Sequence, residues 1–258
     1  MTILNFFTSP LEQFQVVPIL SCYFGFVDIS LTNETIILFI IAIFSILFFY
    51  GLTKENDGSY FVIPNRWQAV MEIIYKMILS LVTDNIKDKK AQYFFPLVFT
   101  IFLLLLSLNL IGLVPYSFTL TSHLIVTLSL SIGIFIGINI ICVRTHGMHF
   151  FSLFLPSGTS VVLAFLLVPI ELISYIFKPI SLSIRLFANM MAGHTLLKVI
   201  AGFAFALMAN TGILFLVHYV PLLILIPLFA LELGVALIQS FVFSILICIY
   251  LNDAINLH

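Results

Sequence analysis

Residues 181–194 read SLSIRLFANMMAGH, an apolar run with a permanent charge, Arg185, in its middle. Arginine keeps its proton under any condition a protein meets. At the centre of a helix in lipid it costs at least about 2.5–3.5 kcal/mol, so such residues face a bundle interior or a wet cavity, where they handle ions. The rest of the chain says that lipid is the solvent: 62% of residues are apolar, 8% are charged, and the mean hydropathy is +1.24. That composition excludes a water-soluble globule. The net charge of −1 rests on so few groups that position matters more than sum, and no nucleic-acid partner is expected. Cys22, Cys142 and Cys248 lie far apart with no metal spacing and read as small apolar fillers.

Residues 1–33 hold no Lys or Arg, whereas signal and transit peptides begin basic. The expectation is a chain made where it is used, inside an organelle or a bacterium. Against the ~20 residues needed to span a bilayer, ordinary spans lie at Thr35–Leu52, Phe94–Val114 and Leu124–Val143. Val161–Met208 and Thr211–Leu251 are about twice that length, and neither contains a good polar turn. At ~1.5 Å per residue each makes a helix of about 60–70 Å, too long to stand upright in a ~30 Å core. Either each run breaks in two, at Pro179 and Pro227, or it forms one steeply tilted helix. Hydropathy alone does not choose.

Residues 53–92 carry Lys54, Arg66, Lys76, Lys87, Lys89 and Lys90, six of the ten basic residues. The positive-inside rule places that loop inside. The N-terminal arm and the connections at 115–123 and 209–213 have no Lys or Arg, and Arg144 follows the third span. Five spans, with the N-terminus outside and the C-terminus inside, satisfy these facts. Within the basic loop, Trp67, Val70, Ile74, Met77, Ile78 and Leu81 recur at helical spacing beside Glu72, Lys76 and Asp84, the pattern of an amphipathic helix on the inner surface.

The sequence holds no internal repeat, phosphate loop, nucleophile triad or metal-ligand cluster, and neither a cofactor nor a metal is expected. His146 and His149 in RTHGMH are three apart but lack a third ligand, and read as a solvated loop. His123 and His218 fall near span ends and read as interfacial side chains.

The buried ionisable residues fall into register. Lys178, Ser181, Arg185 and Asn189 sit at intervals of three, four and four, one helical face. Glu171 is two turns before Lys178 on nearly the same face, while His194, nine residues after Arg185, points to the opposite side of an undistorted helix. Glu232 and Gln239, seven apart, share a face of the last segment. If the two long segments form a hairpin turning at Asn210, Thr211 and Gly212, Arg185 and Gln239 each lie 27 residues from Gly212. His194 and Glu232 then lie 18 and 20 residues away on the outer side, and Glu171 and Asp253 lie 41 away on the inner side. The arginine separates an outer titratable pair from an inner one, the layout of two half-paths that do not meet.

These residues resemble a family, subunit a of F-type ATP synthase, the stator of a proton-driven rotary motor. RLFANMMAGH at 185–194 and LELGVALIQSFVFSILICIYLNDAINLH at 231–258 are similar to the mitochondrial members, those of plants and protists above all. The resemblance extends to SPLEQF at 9–14, PNRWQ at 64–68, NLIGLVPYSFTLTSH at 109–123 and ELISYIFKPISLSIRLFANM at 171–190. It implies an all-α integral membrane protein with about five membrane-embedded helices and one amphipathic surface helix. The layout it implies is a single membrane domain with an outer arm over 1–33, helices over 34–52, 66–88, 93–114 and 122–143, and long tilted helices over 157–208 and 212–253 forming a hairpin. It further implies that Arg185 is the essential stator arginine, with His194 and Glu232 in the outer half-channel and Glu171 in the matrix-side one. Asn189, Gln239, Asp253, Lys178 and Ser181 join the proton path as candidates. Bacterial members exchange the carboxylate and the imidazole of the His194–Glu232 pair, which argues that the two touch. Implied partners are a ring of c subunits, the other membrane-sector and peripheral-stalk subunits, lipids with cardiolipin among them, and protons. The implied location is the mitochondrial inner membrane, and the phosphoryl chemistry is the work of other subunits. A secondary transporter is the rival reading, but its internal repeats are missing; a merely anchoring subunit of a quinone-linked complex is another.

Overall fold

The computed structural model describes residues 11–24, 27–28, 30–53, 65–86, 91–114, 117–147, 161–208 and 217–255. Six α-helices account for most of them: α1 Asn33–Thr53, α2 Arg66–Asn85, α3 Ala91–Gly112, α4 Leu124–His146, α5 Val161–Met208 and α6 Tyr219–Ile255. Among the described residues, α3, α4, α6 and α5 from Phe165 onward are each long and apolar enough to cross a membrane, and α1 adds a shorter apolar stretch over Asn33–Leu47. The protein is therefore an all-α membrane protein. Its exposed side chains agree: Phe39, Ile46, Phe165, Ile170, Phe203, Leu223 and Ile226 are all more than half exposed, a burden that an apolar surround removes.

The two long runs are each one helix. α5 continues for 48 residues through Pro169 and Pro179, and α6 for 37 residues through Pro227. The breaks at Pro179 and Pro227 that hydropathy left open do not occur. A proline deletes one backbone donor, and in lipid the helix is retained because unpaired peptide groups elsewhere would cost more. The hairpin turn at Asn210–Gly212 lies outside the described residues, and α6 begins at Tyr219.

Local chemistry sets the other ends. Asn65 starts α2: its side-chain Oδ1 accepts from the Arg66 N–H at 2.8 Å, and its own N–H donates to Gln68 Oε1 at 2.9 Å, a reciprocal cap. Arg144 and His146 occupy the last turn of α4, where cations oppose the negative end of the helix. Gly147 then leaves the helix at φ +56°, a conformation that costs a glycine nothing. In the N-terminal arm, Pro18–Leu20 pairs antiparallel with Leu31–Thr32, and Tyr23–Phe24 with Val27–Asp28. The sequence reading contained no such ladders. Asn33 ties the arm to α1, accepting from the Val17 N–H at 3.2 Å and donating to the Gln15 carbonyl at 3.1 Å.

The chain divides into two compact units. The first comprises Met1–Phe49, Leu106–His123 and Leu186–Gln239. Here Ile37 and Ile41 of α1 pack against Leu108, Ile111 and Leu120, and Leu113 packs against Met190 and Ala236. The second comprises Tyr50–Leu105, Leu124–Arg185 and Ser240–His258. In it Tyr75 meets Phe95 edge-on with ring centroids 4.7 Å apart, and Ile78, Val82 and Ile86 are buried while Trp67 and Val70 of the same helix are exposed. α4 and α5 are joined there by polar bonds, Thr127 to Ser183 at 3.0 Å and the Tyr175 hydroxyl donating to Asn139 Oδ1.

Candidate functional site

In the first unit, α5 and α6 run antiparallel with polar side chains at their contact. Asn189 Nδ2 donates to Gln239 Oε1 at 3.2 Å, Met190 packs on Ala236, and one turn further His194 Nε2 stands 3.6 Å from Glu232 Oε1. Side-chain exposure is 14% for His194 and 5% for Glu232, so this is an imidazole–carboxyl pair shut away from bulk water. The geometry brings His194 onto the α6 side of its helix, which the sequence register alone did not require.

The pair has unused capacity. Among the described residues, His194 Nε2 and both oxygens of Glu232 have no hydrogen-bond partner, and the same holds for Gln239 Nε2. Their separation, just beyond hydrogen-bond reach, is one that a water or a small movement closes. Such atoms are costly unless something polar visits them. A cavity of about 240 Å³ opens beside them, lined by Asn189, Gly193, Leu196, Leu228, Glu232 and Val235. Gly193 permits the approach: a Cβ there would lie 2.6 Å from Glu232 Oε1.

One residue escaped the sequence reading. Asn109 of α3 is fully buried and donates to the Ala236 carbonyl at 3.3 Å, while its Oδ1 has no partner among the described residues. It sits one turn from Glu232 and three residues from Gln239 along α6. The signal was available, a lone amide in the apolar run SLNLIGLV.

In the second unit, Arg185 is exposed on α5 and lines an open cavity of about 280 Å³ together with Ser174, Lys178, Ser181 and Tyr250. Lys178 Nζ lies 3.8 Å from Asp253 Oδ2 and is flanked by the rings of Tyr175 and Tyr250, at 5.4 and 5.1 Å from their centroids. Two levels counted from the sequence have other contacts here: Asp253 meets Lys178, while Glu171 is exposed, and within the first unit the side-chain carbonyl of Gln239 accepts from Asn189. The reason is register: the observed α5–α6 pairs sit two to seven residues further along than a turn centred on Gly212 gives.

The remaining histidines are placed as follows. His123 Nε2 stands 3.5 Å from Glu34 Oε1. His218 is buried, its ring 4.1 Å from that of Tyr219. A ring nitrogen of His146 bonds the Ile255 carbonyl at 2.9 Å, while His149 lies outside the described residues. No group of three His, Cys, Asp or Glu side chains converges among the described residues.

Comparison with known proteins gives a consistent picture. A family model described as ATP synthase A chain matches residues 35–252. The chain is similar to ATP synthase subunit a of Pylaiella littoralis, 54% identical over 252 residues that cover 98% of this chain and 100% of that protein. It is also similar to ATP synthase subunit a of Chondrus crispus, 49% identical with 97% of each chain covered, and of Marchantia polymorpha, 48% identical with 97% and 99% covered.

Proposed function

The chain belongs to the ATP synthase A chain family, and on that premise we propose how this proton-translocating subunit of the membrane sector moves protons. Arg185 is the fixed stator charge, facing a ring of small c subunits at the mitochondrial inner membrane. His194 and Glu232, with Asn189, Gln239 and Asn109, form the outer half-channel; Glu171, Lys178, Ser181 and Asp253 line the matrix side. The observation that carries this reading is the buried His194–Glu232 pair, 3.6 Å apart beside a cavity, with polar atoms that have no partner among the described residues. Copurification with a ring of small c-type subunits separates it from a transporter or an anchoring subunit.

The mechanism follows from charge in lipid. A ring carboxyl enters hydrocarbon only when protonated, because a bare carboxylate there is costly. Opposite the stator it releases its proton, and the Arg185 guanidinium stabilises the carboxylate for that moment. The His194–Glu232 pair delivers a proton from outside to the site on one side of Arg185, and the matrix-side groups take one from the site on the other. Each crossing supplies about 2.3 kcal/mol per 100 mV. Offset half-channels turn that energy into rotation.

Two measurements follow. Gly193→Ala pushes the Glu232 carboxyl aside, since the added methyl would stand 2.6 Å from its oxygen. Proton-driven synthesis falls by about ten- to a hundredfold in fully assembled complexes, the scale of an ångström-sized misplacement; an unchanged rate shows that the close approach is unimportant. The second concerns orientation, with the N-terminus in the intermembrane space and the C-terminus in the matrix. In a Cys22→Ser background, an impermeant thiol reagent added from the intermembrane side labels Val114→Cys and spares Asp84→Cys, both exposed positions. The opposite pattern inverts the topology.

A further inference from the structure

Glu34 and His123 form a second carboxylate–imidazole pair, which the mechanism above does not use. Glu34 lies in the first turn of α1, and His123 is the last residue before α4. Oε1 and Nε2 are 3.5 Å apart, and the side chains are 25% and 22% exposed. The pair is held from several directions. Ile37 and Ile41, three and seven residues after Glu34 and on its face of the helix, pack against Leu108, Ile111 and Leu120. Leu120 opens the tight turn Leu120–Ser122 that ends at His123, and the His123 ring stacks on Phe118 with centroids 5.1 Å apart. The same connection buries the hydroxyl residues Thr119, Thr121 and Ser122. Its first residue, Leu113, packs on Met190 and Ala236, within about a turn of His194 and Glu232. Buried hydroxyl residues therefore adjoin the partly exposed titratable pair, and Leu113, where the same connection begins, lies at the level of the buried one.

We propose that Glu34 and His123 are the proton-collecting mouth of the outer half-channel, capturing protons from outer water and passing them toward His194 and Glu232. This rests on the reading of the outer half-channel given above. The need for it is one of supply. At about pH 8, protons at ~10⁻⁸ M arriving with a diffusional rate constant of ~10¹⁰ M⁻¹s⁻¹ reach a single site only ~100 times per second. That is inside the ~1–10³ s⁻¹ range of ordinary turnover, so capture limits the motor in alkaline surroundings and not in acidic ones. The other described residues of α1 in this unit, of the end of α3 and of the 117–123 segment carry no charged or imidazole side chain. Those of the remaining elements of the unit are Glu12, Asp28, His194, Lys198, His218 and Glu232.

The test uses the whole complex in vesicles at a fixed electrical potential and fixed inner pH, with synthesis recorded as outer pH is raised from about 6 to about 9. Glu34→Gln and His123→Gln each leave the rate near wild type at the acidic end and lower it about fivefold at the alkaline end, a capture defect. The double variant is no worse than either single one, because the two act in one step. Glu34→Asp restores the wild-type profile. Profiles that superimpose on wild type overturn the proposal, as does a uniform loss at every pH. Ile37→Ala thins the same packing without touching either titratable group and keeps the wild-type profile; an equal alkaline defect from it shows that the pair acts only through packing. Glu232→Gln, run alongside, tests the premise separately: full synthesis from that variant removes the outer half-channel itself, whatever the Glu34 result.

Discussion

Arg185→Gln abolishes coupled ATP synthesis in membranes that contain normally assembled complex. The residue has two jobs, and glutamine does neither: it cannot attract an ionised ring carboxylate, and it presents no fixed charge to stop protons passing between half-channels. Loss of a charge-assisted interaction of about 3 kcal/mol lowers the rate by more than about a hundredfold. Passive proton permeability rises at the same time. Arg185→Lys fails too, although it is nominally conservative. An ammonium loses its proton readily in a low-dielectric site, and it lacks the planar fork that engages two acceptors at once. The measurements are ATP synthesis and proton leak in the same vesicles. Wild-type synthesis from Arg185→Gln removes this residue as the stator charge.

Glu232→Gln lowers proton-driven synthesis by about a hundredfold, the contribution expected of a positioned acid–base group. His194→Gln acts in the same direction. The informative variant is the exchange, His194→Glu with Glu232→His, which keeps one carboxyl and one imidazole at the 3.6 Å contact. It recovers more activity than either single substitution, because contacting residues couple by about 0.5–3 kcal/mol. Losses that simply add argue that the two groups work independently. Assembly of the complex, checked by recovery of the other subunits, separates these outcomes from misfolding.

Much of this architecture was legible in the sequence, for reasons that can be named. Helix and membrane follow from apolar runs with few charges, and the amphipathic α2 follows from its spacing. That Asn189 meets Gln239 follows from the polar faces that helical periodicity gives α5 and α6, and that His194 lies level with Glu232 follows from an antiparallel count. What failed was register. The connection between α5 and α6 lies outside the described residues, and counting from Gly212 set Gln239 level with Arg185 and Asp253 level with Glu171. The structure gives Gln239 to Asn189 and Asp253 to Lys178. Helix pairing has no strict period to lock it, so a shift of a few residues costs nothing in hydropathy. Whether a proline breaks a helix was likewise undecidable from hydropathy, because the answer depends on the solvent around the freed carbonyl, and only the family resemblance implied unbroken helices. Asn109 was missed for a different reason: a single amide in an apolar helix has no partner pattern until α6 is beside it.

The prolines inside α5 and α6 have a consequence for the main chain. Pro227 has no N–H, so the Leu223 carbonyl one turn earlier loses its helical donor, and Glu232 follows Pro227 by only five residues. An acceptor stripped of its donor inside hydrocarbon costs several kcal/mol. Such an acceptor is met by a neighbouring side chain, by water or by a local adjustment of the helix. The Leu223 carbonyl stands nine residues before Glu232, about 13 Å along α6, and because it belongs to the main chain, no change of a neighbouring polar side chain removes it. Pro227→Ala returns the missing donor while leaving every titratable group in place.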